Sequence, residues 1–311
     1  MIKTNSDKIN GWIILDKQTG ITSRQAISKI SKLLKFKKIG HGGTLDPLAT
    51  GILPIALGEA TKLISFIQKK KKKYSFTIRW GETRDTDDTE GKIIEKSNSR
   101  PNEAEIQNAL ASFTGKIYQI PPNFSAIKIN GLRSYNLARR NILVRHKPRQ
   151  IEVYEFNLKK ILNIDSAEFE VICGKGTYIR SLARDLAEKL NTKGHVIKLR
   201  RHFVGNFDEK DKIFIDFSKE IIHSPSILKK IIPIEKVLDD IPALFLTETE
   251  AMKLRQGQKI RLNSLKFSNN FITEYPNYQK FEKVYTVSDK NLVALIEIRD
   301  GLVMPKRVIN Y

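Results

Sequence analysis

One carboxylate stands in the most constrained turn of the chain, at Asp46 in GHGGTLDPLATG (Gly40–Gly51). Glycine permits positive φ and a close approach of another backbone, while Pro47 restricts Asp46 to extended geometry. A stiff loop with little side-chain bulk would present the carboxylate as a base or a nucleophile. Asp-Pro in a glycine-rich loop is also typical of an ordinary turn, which composition alone favours. The adjacent His41 is either an acid–base group or a packing residue.

A second group of residues lies in GKGTYIRSLARDL (Gly174–Leu186). Gly174 and Gly176 separate a predicted strand from a predicted amphipathic helix. The N-terminus of a helix presents free N–H groups and a positive partial charge, which suit a phosphate or a carboxylate. Arg180 falls in the first turn of this helix and is able to reach an anion such as Asp46. The alternative is an arginine exposed to solvent.

The third group lies in YSFTIRWG, which begins with an aromatic residue, Tyr74. Alternation predicts a strand in which one face carries Tyr74, Phe76, Ile78 and Trp80. Tyr74 is then either a core residue or, at the end of the strand, a platform for a nucleobase, where stacking contributes ~1–3 kcal/mol. The lysine run before it, Lys69–Lys73, is predicted to be solvated and to touch a phosphate backbone without reading sequence.

The acidic loop DTDDTEG (Asp85–Gly91) is the other place where chemistry is conceivable. It resembles a calcium loop, but Glu90 occupies the position where that loop needs glycine. A P-loop motif is missing from the sequence. We therefore predict no metal site here, and a turn that is solvated or supports its neighbours by hydrogen bonds. A metal-dependent nuclease is an alternative that predicts magnesium dependence and strand cleavage.

The elements that must position these residues follow from periodicity and helix caps. GWIILDK (Gly11–Lys17) predicts a short buried strand, and Thr22 or Ser23 caps the helix that follows. Another helix is predicted in RPNEAEIQNALASFTG (residues 100–115). Residues 120–150 are basic, begin with prolines and carry aromatics, which is typical of a substrate-gripping excursion from the core. Helices and strands interleave without a clean βαβ rhythm, so the fold is predicted to be α+β.

The amino-acid composition limits the classes of binding partner and the type of protein. The 311 residues include 55 Lys and Arg against 34 Asp and Glu, a formal net charge of +21, which attracts polyanions such as nucleic acid. With 40% hydrophobic residues the chain can build a core, and its length predicts two domains. Cys173 is the single cysteine, so an internal disulfide is excluded. A polar N-terminus and the lack of a long apolar run predict a soluble, cytoplasmic protein.

Four motifs occur in order between Gly11 and Phe207: HGGTLDPLATG, YSFTIRWGETRDTDD, GKGTYIRSLARDLAEKL and HVIKLRRHFVGNF. In this combination the chain resembles the bacterial tRNA pseudouridine synthases that modify uridine 55 of the T loop. The resemblance implies the pseudouridine synthase fold, in which helices flank a mixed, largely antiparallel sheet. It implies a catalytic domain over residues 1–244, with an RNA-gripping insertion at about residues 120–150, and a small β-rich domain similar to a PUA domain over residues 245–311.

The resemblance also implies roles for single residues. Asp46 takes the place of the catalytic aspartate, Arg180 that of the arginine paired with it, and Tyr74 that of the tyrosine that stacks on the target uracil. Tyr74 supports catalysis in this assignment and is also a candidate general base for the C5 proton. Substrate contacts are implied for three more residues: His41, which fills the space of the extruded base, Tyr178, and Leu199, which packs against the base. Further RNA-contact or supporting positions are Lys62, Asp85 and Lys128.

The implied reaction breaks the C1′–N1 bond of uridine and forms a C1′–C5 bond. Nothing is oxidised or hydrolysed, so neither a cofactor nor a metal is expected. The implied partner is the T arm of tRNA, and the enzyme is expected to be a monomer with no membrane contact and no obligate protein partner. Two alternatives stay open, a tRNA-binding protein without catalysis and the guide-RNA-dependent branch of the superfamily. Arg84 and Asp87 depart from the family pattern.

Overall fold

The structure is a computed structural model that describes residues 9–142, 144–216, 227–277 and 280–311. Its helices are α1 (Ser23–Leu34), α2 (Ile64–Lys69), α3 (Glu103–Leu110), α4 (Ser134–Ala138), α5 (Ile179–Lys189), α6 (Glu248–Arg255) and α7 (Ser268–Glu274). Its strands are β1 (Gly11–Lys17), β2 (Ile39–His41), β3 (Thr50–Leu57), β4 (Lys72–Trp80), β5 (Glu82–Arg84), β6 (Ile93–Lys96), β7 (Gly115–Gln119), β8 (Lys128–Ile129), β9 (Leu132–Arg133), β10 (Arg149–Asn163), β11 (Ser166–Cys173), β12 (Gly194–Val204), β13 (Lys212–Ile213), β14 (Ala243–Phe245), β15 (Ile260–Arg261), β16 (Lys280–Ser288), β17 (Asn291–Arg299) and β18 (Leu302–Val308).

A large mixed sheet carries the regions singled out by the sequence. Its strands follow the order β13-β1-β3-β12-β4-β11-β10-β7, and β2 pairs with β3. The pairs β1–β3, β12–β4, β4–β11 and β11–β10 are antiparallel. The pairs β12–β3 and β13–β1 are parallel. The predicted α+β class with a mixed, largely antiparallel sheet is thus confirmed.

Alternation in β4 decides which residues face the interior. Tyr74, Phe76, Ile78 and Trp80 are all buried on one face, and Phe76 and Trp80 both lie against the ring of Phe169. The predicted strand is confirmed, but the predicted solvation of the lysine run is wrong at its fourth member. Lys72 is already part of β4 and is only 8% exposed, and its ammonium donates to the carbonyl oxygens of Gln68 and Lys70.

Helices α1, α3 and α5 contribute to the core on the Tyr74 side of the large sheet. Thr22, one of the two predicted caps, is the N-cap of α1, and it also forms a capping box with Gln25. Helix α5 begins directly after GKGTY at Ile179, and its buried face includes Arg180, Leu182 and Leu186. This face brings an arginine side chain into the interior.

A small sheet follows, with strand order β14-β16-β17-β18-β15 and its own core together with α6 and α7. The predicted C-terminal β-rich region is confirmed, while the domain limits at residues 244 and 245 stay a prediction. The two sheets also share a core. Trp12 and Ile14 of β1 pack in one cluster with Leu292 of β17 and Ile309, and Lys62 donates to the carbonyl oxygen of Val308 (2.6 Å).

The basic segment 120–150, described except for residue 143, contains the short hairpin β8–β9 and helix α4. Ser134 anchors it: the hydroxyl is fully buried, donates to the carbonyl oxygen of Asn123 (2.6 Å) and lies 2.9 Å from Nε2 of His146. Across the described ranges, none of the helices combines the length and the apolarity that a membrane crossing requires.

Candidate active site

The Asp46 loop connects β2 to β3 and is fastened at several points. Ser23 at the start of α1 bonds both backbone groups of Leu45, with its hydroxyl accepting from the N–H (2.8 Å) and donating to the carbonyl (3.0 Å). The buried ammonium of Lys17 donates to the carbonyl of Pro47 (3.2 Å). Gly51 has φ +100°, and a Cβ there would lie 2.2 Å from the carbonyl oxygen of Arg201. At Gly51 the close backbone neighbour is therefore the protein's own strand β12.

Arg180 holds the Asp46 carboxylate in a bidentate ion pair. Its Nε donates to one carboxylate oxygen (2.9 Å) and an Nη donates to the other (3.0 Å). The same guanidinium donates to the carbonyls of Thr86 (2.7 Å) and Phe124 (2.9 Å) and lies 3.6 Å from Asp88. Burial alone would lower the pKa of Arg180, but the carboxylates of Asp46 and Asp88 raise it overall. The pair thus keeps a fixed cation beside an anion in a largely dry site.

A cavity of about 300 Å³ opens beside this pair. Asp46, Tyr74, Tyr178, Arg180 and Leu199 all line it, so the structure brings together five of the predicted residues from four different elements and loops. Tyr74 and Leu199 are almost fully buried and come from adjacent strands. Tyr74 and Leu199 therefore give this otherwise polar cavity an apolar part beside a carboxylate, a combination that suits a flat heterocycle.

Tyr178 is held at the start of α5 by a buried glutamine. Gln119 accepts from the N–H of Tyr178 (2.9 Å) and donates to its carbonyl (3.1 Å). Burial raises the pKa of both the Tyr178 and the Tyr74 phenol. Both side chains are consequently protonated at neutral pH, which favours stacking and hydrogen-bond donation over proton abstraction by Tyr74.

His41 lies in a second cavity of about 400 Å³, which also reaches Asp46 and Arg180. The Nδ1 atom of His41 accepts a hydrogen bond from the N–H of Gly43 (3.3 Å). Burial lowers the pKa of His41, and the nearby Arg201 lowers it further. The imidazole is therefore neutral at pH 7 with its proton on Nε2, which suits contact with an uncharged base more than with a phosphate.

Three of the predicted residues lie outside both cavities. Lys62 binds Glu59 (2.5 Å) and the carbonyl of Val308, so its ammonium joins the short helical segment after β3 to β18 of the small sheet. Asp85 accepts from the N–H of Lys92 (2.8 Å) and lines a separate cleft under the basic segment. Lys128 is exposed on the hairpin β8–β9. For these residues an RNA contact stays a prediction.

The acidic loop supports the site by hydrogen bonds, and the idea that it is solvated is wrong for its centre. Thr86, Asp87 and Asp88 are buried, and the Thr86 hydroxyl donates to the Asp88 carboxylate (2.7 Å). Asp87, one of the departures from the family pattern, has a matching cation in Arg184 (3.1 Å). Burial raises the pKa of Asp87 to about 6. In the described part of the chain, no cluster of three or more His, Cys, Asp or Glu side chains is arranged to hold a metal.

Sequence reasoning missed Arg201, which lies under the first cavity. It is 1% exposed and donates to the carbonyls of Ile52 (2.7 Å) and Gly43 (3.0 Å). The second of these bonds fixes the backbone of the Asp46 loop. A signal was present in the sequence. Arg201 follows Leu199 on the same face of a strand, and a charged residue on an inward face demands buried partners.

Comparison with known proteins identifies the chain. Residues 31–179 match the family model described as TruB family pseudouridylate synthase (N terminal domain), and residues 180–239 match the tRNA pseudouridylate synthase B C-terminal domain. The tRNA pseudouridine synthase B of Rhodospirillum rubrum is 44% identical over 302 residues, covering 97% of each chain. The chain belongs to the TruB family of pseudouridylate synthases. The resemblance that rested on four motifs is confirmed.

Further relatives of this TruB family member support the same family and fold. The tRNA pseudouridine synthase B of Nitrobacter winogradskyi is 43% identical, over 97% of this chain and 83% of that protein. Among solved structures, a Cbf5-Nop10-Gar1 complex matches with a TM-score of 0.70 and 25% identity, covering 96% of this chain and 85% of that one. An archaeal box H/ACA sRNP Nop10-Cbf5 complex matches with a TM-score of 0.69 and 23% identity over 98% and 90%. The pseudouridine synthase fold is thus confirmed.

Proposed function

We propose that this chain isomerises uridine 55 in the T loop of tRNA to pseudouridine, acting as a cytoplasmic monomer without an obligate protein partner. Membership of the family makes it an isomerase that converts uridine to pseudouridine in tRNA. The observation that carries the assignment of the site is the Asp46 carboxylate, paired with Arg180 at the edge of a cavity lined by Tyr74 and Leu199.

Asp46 is the catalytic group in this proposal. The target base must leave its stack at a cost of a few kcal/mol, which contacts in a fitted pocket offset. Tyr74 and Leu199 would then contact the base, and His41 would occupy the space that the base leaves in the folded T loop. As an anion, Asp46 is able to attack the base, attack C1′ or remove the C2′ proton. Each route ends with the C1′–N1 bond broken and a C1′–C5 bond formed, while C5 loses its proton and N1 gains one.

Arg180 holds the Asp46 carboxylate at the cavity by a bidentate ion pair. Four hydrogen bonds to three different loops fix the guanidinium itself. Because the loop of Asp46, the acidic loop and the basic segment all meet at this one side chain, Arg180 sets their relative positions.

Incubation of an unmodified tRNA transcript with purified protein, without metal or nucleotide, followed by mapping of pseudouridine, tests the proposal. Product is expected at the T-loop uridine. Asp46→Asn should abolish turnover while tRNA binding persists, and Asp300→Asn, on an exposed turn of the small sheet, is the matched control that should behave like the wild type. Binding without product in the wild type would favour a non-catalytic tRNA-binding protein. Magnesium-dependent strand cleavage would favour a nuclease. Near-normal activity of Asp46→Asn would exclude Asp46 as the catalytic group.

A further inference from the structure

Ser125 carries a buried hydroxyl that forms no hydrogen bond of acceptable geometry within the described part of the chain. The residue lies in the basic segment and is 3% exposed, yet its Oγ contacts no donor or acceptor with acceptable geometry among the described residues. Buried polar groups are nearly always satisfied, and leaving one without a partner is unfavourable because it has lost its hydrogen bonds to water. A buried hydroxyl without a partner in the free protein would be stabilised by a hydrogen bond to a bound ligand.

The contrast with Ser134 in the same segment is informative. Ser134 is also buried, but its hydroxyl is bonded to Asn123 and lies beside His146, so it serves the local structure. The backbone carbonyl of Ser125 also has a partner, since it accepts from the N–H of Tyr135 (3.0 Å). Burial raises the pKa of the Tyr178 phenol and the nearby Ser125 hydroxyl lowers it in part, but the two groups lack the geometry of a formed hydrogen bond.

The position of Ser125 gives the hydroxyl a target. It lines both the cavity of Tyr74 and the cavity of His41, the two spaces that meet at Asp46. The preceding carbonyl, of Phe124, accepts from Arg180, so the cation that orients Asp46 also places Ser125. The hydroxyl is therefore held in advance at a fixed position relative to the carboxylate, which lowers the cost of ordering it when a ligand binds.

The first cavity offers different chemistry on its different walls. Tyr74 and Leu199 supply apolar surface, which suits the faces of a heterocycle, while Ser125 and the neighbouring phenol of Tyr178 supply hydroxyl groups. A pyrimidine whose faces lie against Tyr74 and Leu199 must present its carbonyl edge to a polar wall, because an unpaired carbonyl buried there would weaken binding.

We propose that the Ser125 hydroxyl donates a hydrogen bond to a carbonyl oxygen of the target uracil, so that Ser125 is a substrate-binding residue of this isomerase. The inference rests on the proposed function, because it assigns the first cavity to the flipped base. Ser125→Ala should lower kcat/KM for the tRNA transcript by about tenfold, which corresponds to ~1.4 kcal/mol. The same variant should be at least as stable as the wild type, because it removes an unsatisfied group. Ser134→Ala, the matched control, should lose stability instead.

The decisive experiment combines these variants with substituted T-arm RNAs. Replacing either carbonyl oxygen of the target uracil by sulfur, as 2-thiouridine or 4-thiouridine, weakens that acceptor. One of the two substitutions should slow the wild type by about tenfold and leave Ser125→Ala no slower than on uridine, which is the signature of a shared contact in a double-mutant cycle. Ser125→Cys, which keeps the size but donates weakly, should resemble Ser125→Ala.

Three results would overturn the proposal. In the first, both thio substitutions slow Ser125→Ala by the same factor as the wild type. In the second, Ser125→Ala couples to 2′-deoxyuridine and to neither thio base, which would assign the hydroxyl to the ribose. In the third, Ser125→Ala loses stability as Ser134→Ala does. Wild-type turnover of the unsubstituted RNA tests the proposed function separately, so a failure of that function is distinguishable from a failure of this contact.

Discussion

Replacement of Arg180 by methionine tests the central ion pair most directly. Arg180 is 4% exposed, and its guanidinium interacts with two carboxylates of unequal burial. The side chain of Asp46 is 32% exposed and can be rehydrated, whereas that of Asp88 is 3% exposed and cannot. Arg180→Met therefore leaves one isolated charge in the interior, together with the carbonyls of Thr86 and Phe124.

The expected loss of unfolding free energy is about 3–5 kcal/mol, the usual cost of breaking a buried ion pair by removing one partner. Most of this cost should come from Asp88, because Asp46 regains water. Asp88→Asn preserves an oxygen for the Thr86 hydroxyl and removes the charge, so it should restore roughly 1–3 kcal/mol in the Arg180→Met background. In the wild-type background Asp88→Asn should bring no such gain.

Urea titrations followed by tryptophan fluorescence measure these effects, because both tryptophans, Trp12 and Trp80, lie in the large sheet. The four chains of the cycle are the wild type, the two single variants and the double variant. Arg299→Met, on an exposed part of β17, is the control for loss of a surface arginine. Turnover should be lost in Arg180→Met and stay lost in the double variant. Additive effects of the two substitutions on stability would refute the view that Arg180 compensates the Asp88 charge.

Three further outcomes are expected. Tyr74→Phe should slow pseudouridine formation while tRNA affinity persists, as single-turnover and binding assays can show; an unchanged rate would make Tyr74 a packing residue only. The raised pKa of Asp87, about 6 against 3.8 when unfolded, means that the fold favours the protonated form. The contribution of Asp87 to the free energy of unfolding should therefore fall by about 3 kcal/mol as pH rises from below 4 to above 6, and the difference between the wild type and Asp87→Asn in urea titrations should show this slope. Affinity for tRNA should fall at least ~10-fold between 50 and 200 mM salt, and a flat response would show that the +21 charge is irrelevant to binding.

The sequence predicted those parts of the molecule that local patterns determine. Alternation located β4, and capping residues located the start of α1, because both signals act within a few residues. The approach of Arg180 to Asp46 was anticipated from charge and from the family motifs, which compensated for the 134 positions that separate the two residues. Without those motifs, Asp46 would have stayed an ordinary turn residue.

Features that depend on long-range contacts escaped prediction. Lys72 reads as one of five equivalent lysines, and only the hydrogen bonds that end α2 single it out as buried. Asp87 and Arg184 pair although they lie 97 residues apart, so the sequence around one charge does not predict the other as its partner. The family resemblance implies an RNA-contact or supporting position for Lys62, but it does not reveal that Lys62 binds Glu59 and the carbonyl of Val308, which lies in the last strand.

The core shared by the two sheets has a practical consequence for deletion studies. Trp12 donates to the carbonyl of Ile234, and Ile309 packs in the same cluster as Ile14 and Val237. A chain shortened to remove the small sheet would expose this apolar layer on the back of the large sheet and become prone to aggregation. If such a chain were inactive, the cause would be the destabilised large sheet and not the loss of an RNA contact. Charge reversals on the solvent side of β17, for example at Arg299, leave that layer covered and so measure the contribution of the small sheet to RNA binding.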